Sequence, residues 1–205
     1  MGFYEERILP HVVNVTCGGK RMARIRRPAL EGLAGTVVEL GFGSGHNVEL
    51  YPAAVQRVLA VEPSEKAREL AGRRMAKHEH VPVEFVGLSG ESLPLEDASV
   101  DAVLSTWTLC TIPDVERALA EVRRVLRPGG SLHFVEHGVS DDPKVVRWQR
   151  RLEPMQKRLG GGCHLTRDAP SLIEAAGLRM DHLRRFTLGP RVYTTMSSGV
   201  AVKAR

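Results

Sequence analysis

Chemistry concentrates in the run Val38-Glu39-Leu40-Gly41-Phe42-Gly43-Ser44-Gly45-His46-Asn47, an acid followed by three glycines at alternating positions. Glycine lets a backbone turn tightly and lets a ligand approach without meeting a Cβ. A helix opening after such a loop would add unpaired N–H groups. The strand-like Val58-Leu59-Ala60-Val61 ends in Glu62 and Pro63, about 20 residues beyond the glycines, where an acid can accept from both ribose hydroxyls of a nucleoside cofactor. The dinucleotide fingerprint needs a glycine where His46 stands, so a pyrophosphate cofactor fits poorly and a nicotinamide oxidoreductase ranks low.

These residues need a scaffold of alternating strands and helices. Strands are expected at Thr36–Leu40, Arg57–Val61, Val81–Val86, Val100–Ser105 and Ser131–Glu136. Helices are expected over residues 3–30, Asn47–Val55 (interrupted near Pro52), Ser64–His78 and Pro113–Leu126. Pro128-Gly129-Gly130 reads as a sharp turn. Such alternation implies parallel βαβ units with helices on both faces of one sheet. The last third differs: Asp142–Leu159 reads as a long basic helix broken by Gly160-Gly161-Gly162, and Thr166 as the cap of a helix running to about Ala176. Residues 178–187 and 192–203 read as a closing antiparallel hairpin.

Composition sets the bounds. The 205 residues suit one domain: 1–30 as a helical cap, 35–138 as a cofactor-binding core, and 139–205 as substrate-side helices with the hairpin. Hydrophobic residues make up 42% and charged residues 26%, as in soluble globular proteins. No run approaches the roughly 20 apolar residues of a spanning helix, and the N-terminus lacks signal-peptide order, so a cytoplasmic protein is expected. Cys17, Cys110 and Cys163 show no C-x-x-C spacing and suggest neither zinc nor a disulfide framework. The net charge of +5 is clustered at Lys20–Arg27, Lys144–Arg158 and Arg179–Arg191. Each cluster reads as a solvated helix face or as a peripheral contact with an anionic membrane surface. An aromatic content of 5% offers few stacking platforms for bases, which disfavours a nucleic-acid substrate. The oligomeric state is left open.

The glycine run resembles the first motif of class I S-adenosylmethionine-dependent methyltransferases. Further stretches match in register: Gly90-Glu91-Ser92-Leu93-Pro94, Ala98-Ser99-Val100-Asp101-Ala102-Val103, and Val122-Arg123-Arg124-Val125-Leu126-Arg127-Pro128-Gly129-Gly130. The resemblance implies a Rossmann-like α/β fold with a seven-stranded, mostly parallel sheet. It implies S-adenosylmethionine as cofactor, held by Glu39, Gly41, Phe42, Gly43, Ser44, Gly45, Asn47, Glu62 and Pro63, with Thr106 and Trp107 flanking the methyl group. Glu39 would orient the loop or meet the cofactor's amino group. The family's usual aspartate after the third strand is replaced by Ser89, so adenine contact falls to Ser89, Gly90 and Glu91.

A narrower resemblance rests on Tyr51-Pro52, Leu109-Cys110, Phe134-Val135-Glu136-His137 and Gly162-Cys163-His164-Leu165-Thr166-Arg167. These strings are similar to a subgroup containing animal microsomal alkylthiol S-methyltransferases and bacterial relatives labelled phospholipid or quinone methyltransferases. No counterpart of the animal enzymes' apolar N-terminal anchor is expected in this chain. A small-molecule acceptor, a thiol above all, is thereby implied. His137 is the candidate base, or a structural hydrogen bonder; Trp107 and His164 join it as catalytic candidates. Cys163 reads as a lid residue or an inert thiol, and His11 and Tyr4 could reach the pocket from the N-terminal segment. Phospholipid N-methylation, small-molecule O-methylation and a non-catalytic cofactor-binding module remain as alternatives.

Overall fold

The computed structural model describes residues 4–205. Seven strands form one sheet in the order β3-β2-β1-β4-β5-β7-β6. They are β1 Gly35–Leu40, β2 Val55–Val61, β3 Val83–Gly87, β4 Val100–Thr106, β5 Leu126–His137, β6 Leu178–Thr187 and β7 Thr195–Lys203. The first five run parallel; β7 lies antiparallel between β5 and β6. The expected sheet, hairpin included, is the one observed. Strand order reverses between β1 and β4, and ligands of open α/β sheets bind in the crevice at such a switch point, beyond the strands' carboxyl ends.

The central strands are buried on both faces, as near-continuous runs such as Val37-Val38-Glu39-Leu40 require. One face is packed by α4 (Val115–Val125) and α6 (Ala169–Ala175), through Ala118, Leu119, Val122 and Ile173. The other is packed by α2 (Gly19–Leu30) and α3 (Glu65–Met75), through Leu30 and Ala71. Helix α4 forms because its apolar residues recur every three or four positions and because the Asp114 carboxylate caps the Arg117 N–H at 3.0 Å. Burial of each large apolar side chain along that stripe contributes about 1.5–3 kcal/mol.

Several expectations are corrected. The helical stretch at the N-terminus is three pieces: a π-type turn Tyr4–Ile8, then α1 Leu9–Thr16, then α2. Its expected first residue, Phe3, lies outside the described residues. Asn47–Val55 is no helix; one 3-10 turn, Val48–Leu50, precedes an extended Tyr51. Pro52 disfavours helical backbone at Tyr51, and the Asn47 side chain binds Glu39 and Thr106 instead of capping. Pro128-Gly129-Gly130 does not separate helix from strand, because β5 already begins at Leu126. The extra residues bulge out between the pairs Val100–Leu126 and Ala102–Ser131. Helix α6 starts at Ala169, not Thr166, whose N–H and hydroxyl both donate to Glu153 on α5 (Pro143–Leu159). Among the described residues no helix is long and apolar enough to cross a membrane.

Candidate functional site

The glycine loop leaves β1 at the switch point, where Leu40 pairs with Ser105 of β4. Gly41, Gly43 and Gly45 all have positive φ, 63°, 57° and 77°, which explains the residue type at each. Their surroundings differ. A Cβ at Gly41 would overlap the Thr108 side chain, and one at Gly45 would press on Ala71 and Phe42. A Cβ at Gly43 would meet nothing nearer than 3.8 Å. Gly41 and Gly45 thus permit close packing, whereas Gly43 faces open space. Phe42 is core, edge-on to Phe85 at 5.4 Å.

Two buried acids hold this loop. Glu62, after β2, accepts from the Gly43 N–H at 2.7 Å and the Ser64 N–H at 2.9 Å. Glu39 lies beneath the loop and accepts from Asn47 Nδ2 at 2.8 Å and from the Tyr51 hydroxyl. Asn47 Nδ2 also reaches Thr106 Oγ1 at 3.1 Å, tying the loop to the end of β4. Burial pushes the Glu39 carboxyl up to about 7, against the hydrogen bonds from Tyr51 and Asn47. Burial likewise raises Glu62. On the outer side Arg74 of α3 donates to the Ser44 carbonyl at 2.7 Å, and His46 contacts the Asn14 carbonyl at 3.1 Å. Burial, then the cations of Arg74 and Arg26, lower His46 to about 4.

The Glu39 shift has a measurable consequence. Its folded pKa lies above the unfolded value, so the folded chain holds more protons between about pH 4.5 and 7. Stability from this group is full below that window and lost as pH rises through it, a change of about 3 kcal/mol. Glu39→Gln should remove the dependence, so the Tm difference between variant and wild type should shift in the variant's favour from pH 5 to 8. The opposite slope from His46 cancels in that difference. A pH-independent difference would contradict the assignment.

Several buried polar atoms around this loop have no hydrogen-bond partner among the described residues: Ser44 Oγ, Asn47 Oδ1, Trp107 Nε1 and Arg26 Nε. An unpaired buried polar atom costs about 1–3 kcal/mol. Trp107, after β4, is also held at φ 55°, a strained conformation for a bulky residue. The Arg26 guanidinium lies 4.5 Å over the Trp107 ring. Two orphans are donors (Arg26 Nε and Trp107 Nε1), one is an acceptor (Asn47 Oδ1), and Ser44 Oγ is both. This donor and acceptor set fits a ligand carrying both a carboxylate and an ammonium, and Gly43 leaves the space for one.

Arg26 corrects the sequence reading, which placed it in a solvated basic cluster; it is 4% exposed and donates to the Cys17 carbonyl at 2.7 Å. His11 is exposed, and the Tyr4 hydroxyl donates to the Leu159 carbonyl at 2.9 Å, so Tyr4 ties the N-terminal segment to α5. Pro63 is exposed beside Glu62. Ser89 Oγ accepts from the Glu91 N–H at 3.1 Å, and Glu91 accepts from the Asp114 N–H at 2.7 Å, so both side chains are engaged within the loop and the start of α4. Gly90 is buried against Leu40 and Ile112.

Across the crevice lies a second group. Glu136, near the end of β5, is fully buried and accepts from Ser105 Oγ at 2.7 Å, the Thr108 N–H at 3.0 Å and the Cys110 N–H at 3.1 Å. It fixes the loop after β4. Sequence reasoning gave it no role, although an acid closing the apolar run Phe134-Val135 is the same signal that marked Glu62. His137 is half-buried, 6.4 Å from the Trp107 ring by centroids. Its Nδ1 lies 3.7 Å from Cys163 Sγ and 4.0 Å from Cys110 Sγ, and the two sulfurs are 3.7 Å apart. The Cys110 thiol beside Cys163, helped by His137, holds Cys163 below the usual thiol range against burial. The same contact and burial push Cys110 up. His164 stands apart: its Nδ1 lies 3.5 Å from Glu153 Oε1, bracing α5.

Residues 38–134, from β1 through most of β5, match the family model described as a methyltransferase domain. The chain carries a class I S-adenosylmethionine-dependent methyltransferase domain. It is 41% identical to rat thiol S-methyltransferase TMT1B over 145 residues, 69% of this chain and 59% of the relative. The chain therefore spans about three fifths of the length of that curated relative. Among solved structures, a putative methyltransferase from Bacillus halodurans superposes with a TM-score of 0.72 at 17% identity, covering 91% of this chain and all of that one. Haemonchus contortus phosphoethanolamine N-methyltransferase 2, in complex with S-adenosyl-L-methionine, gives 0.68 at 13% identity, over 98% of this chain and 59% of that one. At those identities the likeness is one of fold.

Proposed function

We propose that the chain methylates a small thiol at the expense of S-adenosylmethionine. The likeness to a thiol S-methyltransferase over most of the fold carries the acceptor class. Bound S-adenosylmethionine supplies an electrophilic methyl group on a sulfonium. In this reading Glu62 accepts from the ribose hydroxyls. Asn47 and Ser44 meet the amino-acid ammonium, and Arg26 and Trp107 meet its carboxylate. The Ser89-Gly90-Glu91 turn flanks the adenine, and Thr106 and Trp107 wall the methyl-bearing end. Residues 1–30 act as a cap that delivers Arg26, residues 35–138 hold the cofactor, and the segment from residue 139 shapes the acceptor side.

Alignment of acceptor sulfur, methyl carbon and leaving sulfur removes about 7–11 kcal/mol of the barrier when the groups are well oriented. The acceptor sulfur attacks as a thiolate, and its proton passes to His137. A thiol with a pKa near 8.5 is partly ionised already, so the base helps most at neutral pH. His137→Ala should slow thiol methylation about 10- to 100-fold at pH 7, less as pH rises, with unchanged cofactor affinity. A loss independent of pH, or equal losses of affinity and rate, would assign His137 a structural role.

A panel of hydrogen sulfide, an alkyl thiol, a phenol and phosphatidylethanolamine vesicles, each offered with methyl-labelled cofactor, tests the acceptor class. Label is expected on the two sulfur compounds; label on phenol or lipid alone would overturn the thiol reading. We also read the chain as cytoplasmic, touching membranes only peripherally through α5. There Trp148 is 53% exposed among Lys144, Arg147, Arg150 and Arg151. Binding to anionic vesicles should weaken with added salt; salt-independent binding, or none, would reject that surface.

A further inference from the structure

Cys110, His137 and Cys163 come from three separate segments: the loop after β4, the end of β5 and the glycine-rich turn after α5. Their ligand atoms all lie within 4.8 Å of one another. We propose that they form a three-ligand site for a thiophilic divalent cation of the zinc class, with the fourth coordination position open.

A tetrahedral zinc with bonds of about 2.3 Å to sulfur and 2.0–2.1 Å to nitrogen sets its ligands about 3.8 Å apart for sulfur to sulfur and about 3.6 Å for sulfur to nitrogen. The observed edges are 3.7 Å between the sulfurs and 3.7 and 4.0 Å from the sulfurs to Nδ1. Two thiolates and a neutral imidazole would leave a zinc site uncharged, which suits its buried position. A disulfide needs the sulfurs about 2.05 Å apart and makes no use of His137.

The backbone fixes these ligands in advance. The Cys110 N–H donates to Glu136 at 3.1 Å, and the Cys110 carbonyl accepts from the His164 N–H at 2.8 Å, joining the two cysteine loops. Arg167 donates to the Leu109 and Ile112 carbonyls at 2.6 and 2.7 Å, clamping the loop around Cys110. Both cysteines are buried and His137 is half-buried, so of the three ligands His137 is the one that solvent or a small molecule can approach. Sites with three protein ligands and an open position take water or substrate there, and a soft anion such as a thiolate suits this one. The assignment stands apart from the methyl-transfer reading. The two meet at His137: with zinc on Nδ1 the ring would no longer serve as the base, and a thiol taken at the open position would give its proton to solvent on coordination.

The test uses the full chain, kept reduced, and reads metal rather than activity. Zinc titrated against a chromogenic chelator should load to about one equivalent per chain, and Cys163→Ser or His137→Gln should weaken binding by about 100-fold or more. Cys17→Ser should bind as wild type. Cobalt in place of zinc should show thiolate-to-metal charge transfer and the visible bands of a tetrahedral site, which covers the case of a variant that folds poorly. Zinc binding unaltered in the folded variants, cobalt spectra lacking thiolate bands, or no stoichiometric binding by wild type would each overturn the proposal.

Discussion

Glu136→Ala should cost the protein about 3 kcal/mol or more of stability, because it strands the buried Ser105 hydroxyl, the buried Cys110 N–H and the part-buried Thr108 N–H at once. For a chain of this size that corresponds to a fall in Tm of about 6–12 °C. The carboxylate accepts from Ser105, Thr108 and Cys110, and those bonds are what hold the loop after β4 in place. Glu136→Gln retains one acceptor oxygen and should lose less. Loosening should also reach Cys110, which is 1% exposed in the fold, so its thiol should react faster with an aromatic disulfide reagent in the variant. An unchanged Tm with an unchanged thiol rate would mean that the loop is held by other contacts.

Glu62→Ala should weaken S-adenosylmethionine binding by about 100-fold or more, read calorimetrically. Two effects add. The carboxylate anchors the Gly43 and Ser64 amides, so its loss releases the loop and the start of α3. It is also the proposed ribose acceptor, and a hydrogen bond to a charged group is worth about 1.5–3 kcal/mol. Glu62→Gln keeps the shape and one acceptor oxygen, and should fall between alanine and wild type. Unchanged affinity in Glu62→Ala would sink the assignment. A loss matched by a collapse in Tm would reduce Glu62 to a structural brace.

The legible parts of the molecule are those whose physics is local. Three glycines with positive φ, an acid two residues before them and another closing the next strand are short-range signals, and the structure brings them to one crevice. Apolar runs and their alternation gave the sheet and its antiparallel finish. What escaped depends on distant pairing. Arg26 looks like one cation among several until α2 lays it over Trp107, 81 positions later. Cys110 and Cys163 show no metal-ligand spacing, yet their sulfurs meet across 53 positions because the Gly160–Gly162 turn lays the segment after α5 against the loop after β4. Local signals also misled where a tertiary bond outcompeted them. Thr166 and Asn47 are good helix caps by type, but Glu153 and Glu39 claim their side chains.

The most direct test follows both products of one reaction. The full chain is incubated with methyl-labelled S-adenosylmethionine and an alkyl thiol, and S-adenosylhomocysteine and the labelled thioether are quantified together by mass spectrometry. The account predicts that they accumulate in equal amounts over many turnovers. Cofactor binding by calorimetry with neither product formed, or S-adenosylhomocysteine formed without thioether, would contradict it.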